Sequence, residues 1–155
     1  SVDQRIDYLR TELKLGTENI SILDPEQSSL FWEKTQNLSV FSNTNNNLIR
    51  VIVPPSSTFE LIQKLKKYEI NYFIDWGGNL IWAELRKLNF KSLKEIGKII
   101  RELEGYFTVI KIEKHLKAQV DIFVSDPIKY KISEKIKSSF DPKRILNPGK
   151  MYTGI

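Results

Sequence analysis

Arg50 has the most specific chemistry to offer in this sequence. It stands inside the apolar run Leu48-Ile49-Arg50-Val51-Ile52-Val53, where a charge is costly unless it is paired or put to use. A guanidinium fork suits a carboxylate, which it grips through two parallel N–H donors. A cross-strand pair with Glu84 explains the same residue equally well. Trp76 and Trp82 carry broad apolar faces with one donor each, fit to wall a ligand pocket or simply to pack. Near the C-terminal end, Asn147 opens Asn147-Pro148-Gly149-Lys150. Its amide both donates and accepts, yet Asn-Pro-Gly is also an ordinary turn with Gly149 free to take positive φ. Lys150 adds a cation there, or is merely solvated. The single histidine, His115, lies among charges in Glu113-Lys114-His115-Leu116-Lys117, which reads as exposed linker rather than as a general base. No residue is assigned as catalytic.

Composition narrows the chemistry further. The chain has 155 residues and no cysteine, which excludes disulfides, thiol catalysis, Cys-ligated zinc and iron–sulfur ligation within it. One histidine leaves little room for His-based metal sites, and no metal site is expected. No apolar run reaches membrane-spanning length, and the opening SVDQRIDYLR has neither the basic start nor the apolar core of a signal peptide. A cytoplasmic domain with an ordinary core is expected.

The elements that must position these residues follow from period and punctuation. Val2, Ile6, Leu9 and Leu13 recur at helical spacing, with Gly16 placed to stop the helix. That the chain opens inside a helical pattern suggests that an upstream part has been cut away. Asp24, Pro25 and Gln27 signal a second helix, bearing Leu30, Phe31, Lys34 and Leu38. Residues 42–47 read as a polar loop. Residues 48–53 form a β-branched run ended by Pro54-Pro55, hence a strand. Ser57 with Glu60 reads as a capping box opening a helix with apolar Phe59, Ile62 and Leu65. Strands at 70–76 and 80–85 flank Gly77-Gly78-Asn79, a turn that requires positive φ. Ser92 with Glu95 is another capping box, followed by Leu93, Ile96, Ile99, Ile100 and Leu103 and closed by Gly105. Residues 106–112 make a fourth strand. Asp126-Pro127 opens a last helix with Ile128, Ile132, Ile136 and Phe140 in one stripe, and the tail from 141 to 155 is expected to be extended.

This order is β-α-β-β-α-β, so the expected fold class is α+β. A ferredoxin-like antiparallel sheet carries helices on one face, with helices before it and a helix and tail after it. The parts are a helical segment at 1–47, the ferredoxin-like domain at 48–125, and the last helix and tail at 126–155. Strand alternation puts Ile49, Val51, Val53, Ile81, Ala83 and Leu85 under the helices. Leu48, Arg50, Ile52, Leu80, Trp82 and Glu84 fall on the other face, too apolar to be left bare.

The net charge of +5 comes from the last 70 residues, which hold 16 basic and 8 acidic side chains. A basic surface for an anionic partner is one explanation. With 18 of 24 basic residues Lys, alongside 20 Ile and 10 Asn, compositional bias is the favoured one. The first strand lacks the stacking aromatics of an RNA-binding module, so no nucleic acid is expected.

The tail FDPKRILNPGKMY (140–152) resembles the C-terminal signature of FAD-linked oxidases of the vanillyl-alcohol oxidase type. Ile74-Asp75-Trp76-Gly77-Gly78 followed by Trp82, Leu48-Ile49-Arg50-Val51 running into Pro54-Pro55, and Phe31-Trp32 resemble the FAD-binding subunit family (E subunit) of bacterial glycolate oxidase. The resemblance spans most of residues 20–152. It implies a C-terminal cap domain over the isoalloxazine ring of FAD, the rest of the cofactor being held by an N-terminal domain absent from this chain. No Gly-rich phosphate-cradling loop occurs, and Gly totals only 7, so this chain alone is not expected to hold FAD. The resemblance further implies oxidation of glycolate to glyoxylate, with a homologous flavoprotein subunit and an iron–sulfur subunit as partners, the chain being cytoplasmic or held peripheral to the inner membrane through that complex. Asn147, Lys150 and Trp76 then become cofactor-side residues, and Arg50 with Trp82 the side that meets a small 2-hydroxy acid. Two alternatives remain open: a ferredoxin-like RNA-binding module and a non-catalytic subunit-assembly module.

Overall fold

Mostly apolar strands pair into one antiparallel sheet in the computed structural model, which describes residues 1–12, 21–41, 46–86, 88–117, 123–124 and 127–150. The chain divides into two compact units, 1–42 and 43–155. The first holds α1 (Val2–Glu12) and α2 (Pro25–Gln36), neither with a buried residue. Asp24 caps α2 as expected, its carboxylate accepting from the Gln27 N–H while the Gln27 side chain accepts from the Asp24 N–H. Leu13 and Gly16 lie outside the described residues, as do residues 42–45 of the expected polar loop.

The second unit runs β1 (Asn47–Ile52), α3 (Pro55–Leu65), β2 (Ile70–Asp75), β3 (Leu80–Leu85), α4 (Phe90–Glu102) and β4 (Tyr106–Lys111). It continues with α5 (Lys114–Lys117), β5 (Phe123–Val124) and α6 (Pro127–Phe140). The architecture is α+β, with an antiparallel sheet ordered β2-β3-β1-β4 and extended at the β4 edge by the two-residue β5. Sequence reading had neither α5 nor β5.

One face of the sheet buries Ile49, Val51, Ile81, Ala83, Leu85, Phe107 and Val109 against Leu61, Ile62 and Leu65 of α3 and Leu93, Ile96 and Ile100 of α4. Full burial of each large aliphatic contributes about 1.5–3 kcal/mol before entropy is counted. Phe59, expected on the apolar side of α3, is instead exposed. Thr58 and Leu61 hold the inward positions with Ile62 and Leu65.

Both expected capping boxes of this unit are corrected. α3 starts at Pro55, whose fixed φ suits the first helical position, and its cap Pro54 makes no side-chain bond. Ser57 and Glu60 are therefore inside the helix, where Glu60 pairs with Lys64 at 2.7 Å. α4 starts three residues early. Asn89 is its cap and Ser92 the third helical residue, each side chain bonding the other's N–H. Glu95 instead pairs with Lys67 at 2.5 Å.

The end of α4 also differs from expectation. The left-handed cap residue is Glu104 (φ 58), not Gly105. The Glu104 N–H donates to Arg101 and the Gly105 N–H to Ile100, a Schellman closure. Gly105 serves for closeness: a Cβ there would meet Val53 Cγ1 at 2.3 Å and the Ile52 carbonyl at 2.8 Å.

Asn47 belongs to β1 rather than to a loop, and it is fully buried. Its amide nitrogen donates to the Glu113 carboxylate at 3.2 Å, and its carbonyl accepts the Glu113 N–H at 2.9 Å. The tail at 141–150 is folded into turns rather than extended, while 151–155 lie outside the described residues, as does Asp126.

Candidate functional site

Arg50 and Trp82 are brought together by register. They are direct partners across β1 and β3, and Phe73 and Thr108 continue the row on β2 and β4. The Arg50 guanidinium carbon stands 6.0 Å from the centre of the Trp82 ring, and Phe73 stacks on that ring at 6.4 Å and 30°. Such a cation–π contact is worth about 0.5–1 kcal/mol at a partly exposed site. No ion pair joins Arg50 to Glu84 among the described residues, so the cross-strand pair considered from sequence is replaced by the stack. This face is also less open than expected. Leu48, Leu80, Glu84 and Thr108 are buried, while Arg50 and Trp82 are half-buried. The row therefore offers an aromatic shelf with a single cation along its edge.

Trp76 does not belong to β2. It lies in the turn to β3 with φ 52, followed by Gly77 (φ 61) and Gly78 (φ 98). Positive φ is a strained state for a bulky residue, and the surroundings enforce it. Asp75 accepts the Trp76 N–H at 2.7 Å, the Thr58 hydroxyl donates to the Gly78 carbonyl, and Asn79 donates to the Val53 carbonyl at 2.8 Å. The indole is 67% exposed, which rules out a core-packing role.

The C-terminal signature is organised by Asp141, a residue that sequence reading did not single out. Buried at the end of α6, it accepts from the Ile145 and Leu146 N–H groups at 3.1 and 2.9 Å and from the Lys137 ammonium at 2.7 Å. Lys137 also donates to the Leu146 carbonyl at 2.5 Å. The readable signal was the i,i+4 spacing of Lys137 and Asp141 across a helix end. Arg144 (φ 52) and Asn147 (φ 47) both hold left-handed backbone in the turns that follow, and Lys150 closes the second turn onto the Asn147 carbonyl at 3.2 Å. Asn147 and Lys150 are exposed. No described hydrogen bond, ion pair or ring contact links them, or Trp76, to the Arg50–Trp82 row.

The Lys137 ammonium, reinforced by the two backbone donors, holds the Asp141 carboxyl below the ordinary aspartate range. A depressed folded value means a contribution present above the ordinary value and lost only as pH falls through the depressed one. The Ile145 and Leu146 amide resonances are therefore expected to stay constant through the normal aspartate titration and to shift only at more acidic pH. Asp141→Asn should remove that behaviour and speed exchange of both amides roughly tenfold.

A separate open cleft of 450 Å³ lies at the start of α4, lined by Lys67, Tyr68, Arg86, Asn89 and Ser92 among others. Burial raises the Tyr68 hydroxyl above the ordinary tyrosine value, and that hydroxyl has no well-formed hydrogen bond. Its neighbours Lys67 and Glu95 stabilise each other's charged forms. None of the sequence-predicted site residues lines this cleft. His115 is exposed, 3.3 Å from Glu113. No group of acidic or histidine side chains among the described residues is arranged to hold a metal.

No family model and no curated protein matches this chain. What the site can do is thus argued from its own groups: a cation beside stacked rings on the sheet, an exposed indole on a pinned turn, and an amide and a lysine presented by an anchored tail.

Proposed function

We propose that this chain is the flavin-capping part of a FAD-linked oxidase of the glycolate oxidase kind, with its sheet in the ferredoxin-like class. The β-α-β-β-α-β order and the strand order β2-β3-β1-β4 support that class, as does the packing of α3 and α4 into one core. The observation that carries the functional reading is the tail. Its Phe-Asp-Pro and Leu-Asn-Pro-Gly-Lys segments form turns fixed by a buried carboxylate, with Asn147 and Lys150 turned outward. Positive φ at the bulky Trp76 fits a residue held for contact with a ligand, whereas Asn147 takes the left-handed turn conformation that asparagine adopts readily.

On this reading Arg50 grips the carboxylate of a small 2-hydroxy acid and Trp82 supplies an apolar wall beside it. Trp76 and the Asn147 amide meet the ring system of the flavin, and Lys150 adds positive charge at its polar edge. A bound FAD would supply a two-electron acceptor for the carbinol hydride of glycolate, the hydroxyl proton passing to solvent as glyoxylate forms. The residues present fit the ring but not the pyrophosphate, because the sequence has no glycine-rich phosphate loop. The flavin-holding N-terminal domain therefore completes the site, and the homologous flavoprotein and iron–sulfur subunits complete the complex.

The test is co-expression with a flavin-holding N-terminal domain of this family. The chain alone should retain no FAD, whereas the pair should retain it and lose visible flavin absorption on addition of glycolate. A pair that holds FAD no better than the N-terminal domain by itself would sink the proposal. Salt-dependent RNA binding by the chain, without any effect on flavin, would replace it with the RNA-binding alternative.

A further inference from the structure

α6 turns its polar side inward. Tyr130, Ser133, Glu134 and Lys137, at i, i+3, i+4 and i+7, are its half-buried residues. Ile128, Ile132, Ile136 and Phe140 run four apart along another side, each more than half exposed, and Phe140 reaches 85%. An ordinary surface helix does the reverse. Beyond Phe140, the Asp141 carboxylate holds the backbone of Ile145 and Leu146, both exposed, so the apolar strip continues on ordered chain. Lysines accompany it throughout. Helical spacing sets the exposed Lys131 and Lys135 along one flank, with Lys129 in the first turn and Lys143 and Arg144 following, while the Lys137 ammonium is taken up by Asp141 and the Leu146 carbonyl. Residues 127–150 hold seven basic and two acidic side chains, a net +5.

A second copy of the chain would bring the same positive charge against this surface, which opposes self-association. A protein groove is a poor match in composition, because lysine is depleted at protein–protein contacts while aromatic residues and arginine are enriched. A bilayer with anionic headgroups matches both features. Ile and Phe side chains enter the acyl boundary, and lysine stems lie along it with their ammonium groups among the phosphates. We propose that α6, with Ile145 and Leu146, is a peripheral docking surface for an anionic lipid bilayer, the helix lying in the plane of the interface. No described helix is long and apolar enough to cross a membrane, so the contact is one-sided. The inference does not depend on the flavin reading.

The experiment is flotation of the full chain with vesicles of phosphatidylcholine alone, and of phosphatidylcholine with phosphatidylglycerol at about 3:1. Binding is expected on the mixed vesicles, weakening as salt rises, and not on phosphatidylcholine alone. Lys131→Gln, Lys135→Gln and Lys143→Gln should each weaken it about fivefold, and the triple variant about a hundredfold. Ile132→Asp with Ile136→Asp should abolish it while leaving the circular dichroism unchanged, since neither side chain belongs to the core. Equal binding to both vesicle types, or binding to neither, overturns the proposal. So does a dimer that Ile132→Asp dissolves, or an acidic protein partner that occupies the strip while vesicles do not.

Discussion

Gly105→Ala should unfold this domain more readily than any surface change, at a cost of about 2–3 kcal/mol. Its added methyl would sit 2.3 Å from Val53 Cγ1 and 2.8 Å from the Ile52 carbonyl oxygen. Val53 is itself packed in the core, and the carbonyl belongs to a central strand, so neither can yield cheaply. Thermal denaturation followed by circular dichroism should show a melting point lower by about 4 to 12 °C. The neighbouring change has the opposite sign. Glu104 pays a left-handed penalty at φ 58 that glycine escapes, so Glu104→Gly should raise stability by about 1 kcal/mol. If both variants shift stability in the same direction, the division of labour between the two residues is wrong.

On the proposed flavin-capping reading, Arg50→Gln in the complex with the flavin-holding domain should lower kcat/KM for a 2-hydroxy acid between about tenfold and a hundredfold, the worth of a charge-assisted hydrogen bond lost to a neutral one. The loss should fall mainly on KM, with flavin content unchanged. Arg50→Lys should recover little of it, because an ammonium cannot present two parallel donors. A purely structural Arg50 predicts another pattern. Loss of its contact with Trp82 would cost about 0.5–1 kcal/mol of stability and leave turnover untouched. Steady-state kinetics alongside a denaturation curve separates the two outcomes.

The helices and strands of the second unit were legible because period and punctuation agree along most of it. The errors came where two local signals compete. Ser92-x-x-Glu95 and Asn89-x-x-Ser92 are both competent caps, and the second wins because Leu88 and Leu93 then occupy the two positions of a hydrophobic staple, both in the core. Pro55 outcompetes Ser57 for a similar reason, its φ being fixed in advance. The bond between Asn47 and Glu113 was not legible at all. It joins residues 66 apart, and nothing local marks either one. Of the candidate site, register paired Arg50 with Trp82, since strand neighbours and alternation follow from topology. The choice between Trp82 and Glu84 as the partner of Arg50 depends on side-chain rotamers, which no spacing rule fixes. Asp141 was hidden by its own motif, which reads as turn residues rather than as an anchor.

The three indoles occupy contrasting surroundings, Trp32 and Trp76 in the open and Trp82 half-covered between Phe73 and Arg50. The molecule therefore carries its own optical reporters. Emission at the red edge of the band comes mainly from the solvated pair, and collisional quenchers such as iodide reach Trp32 and Trp76 far ahead of Trp82. Occupation of the sheet row and occupation of the hairpin tip thus give separable fluorescence signals, and neither requires a label.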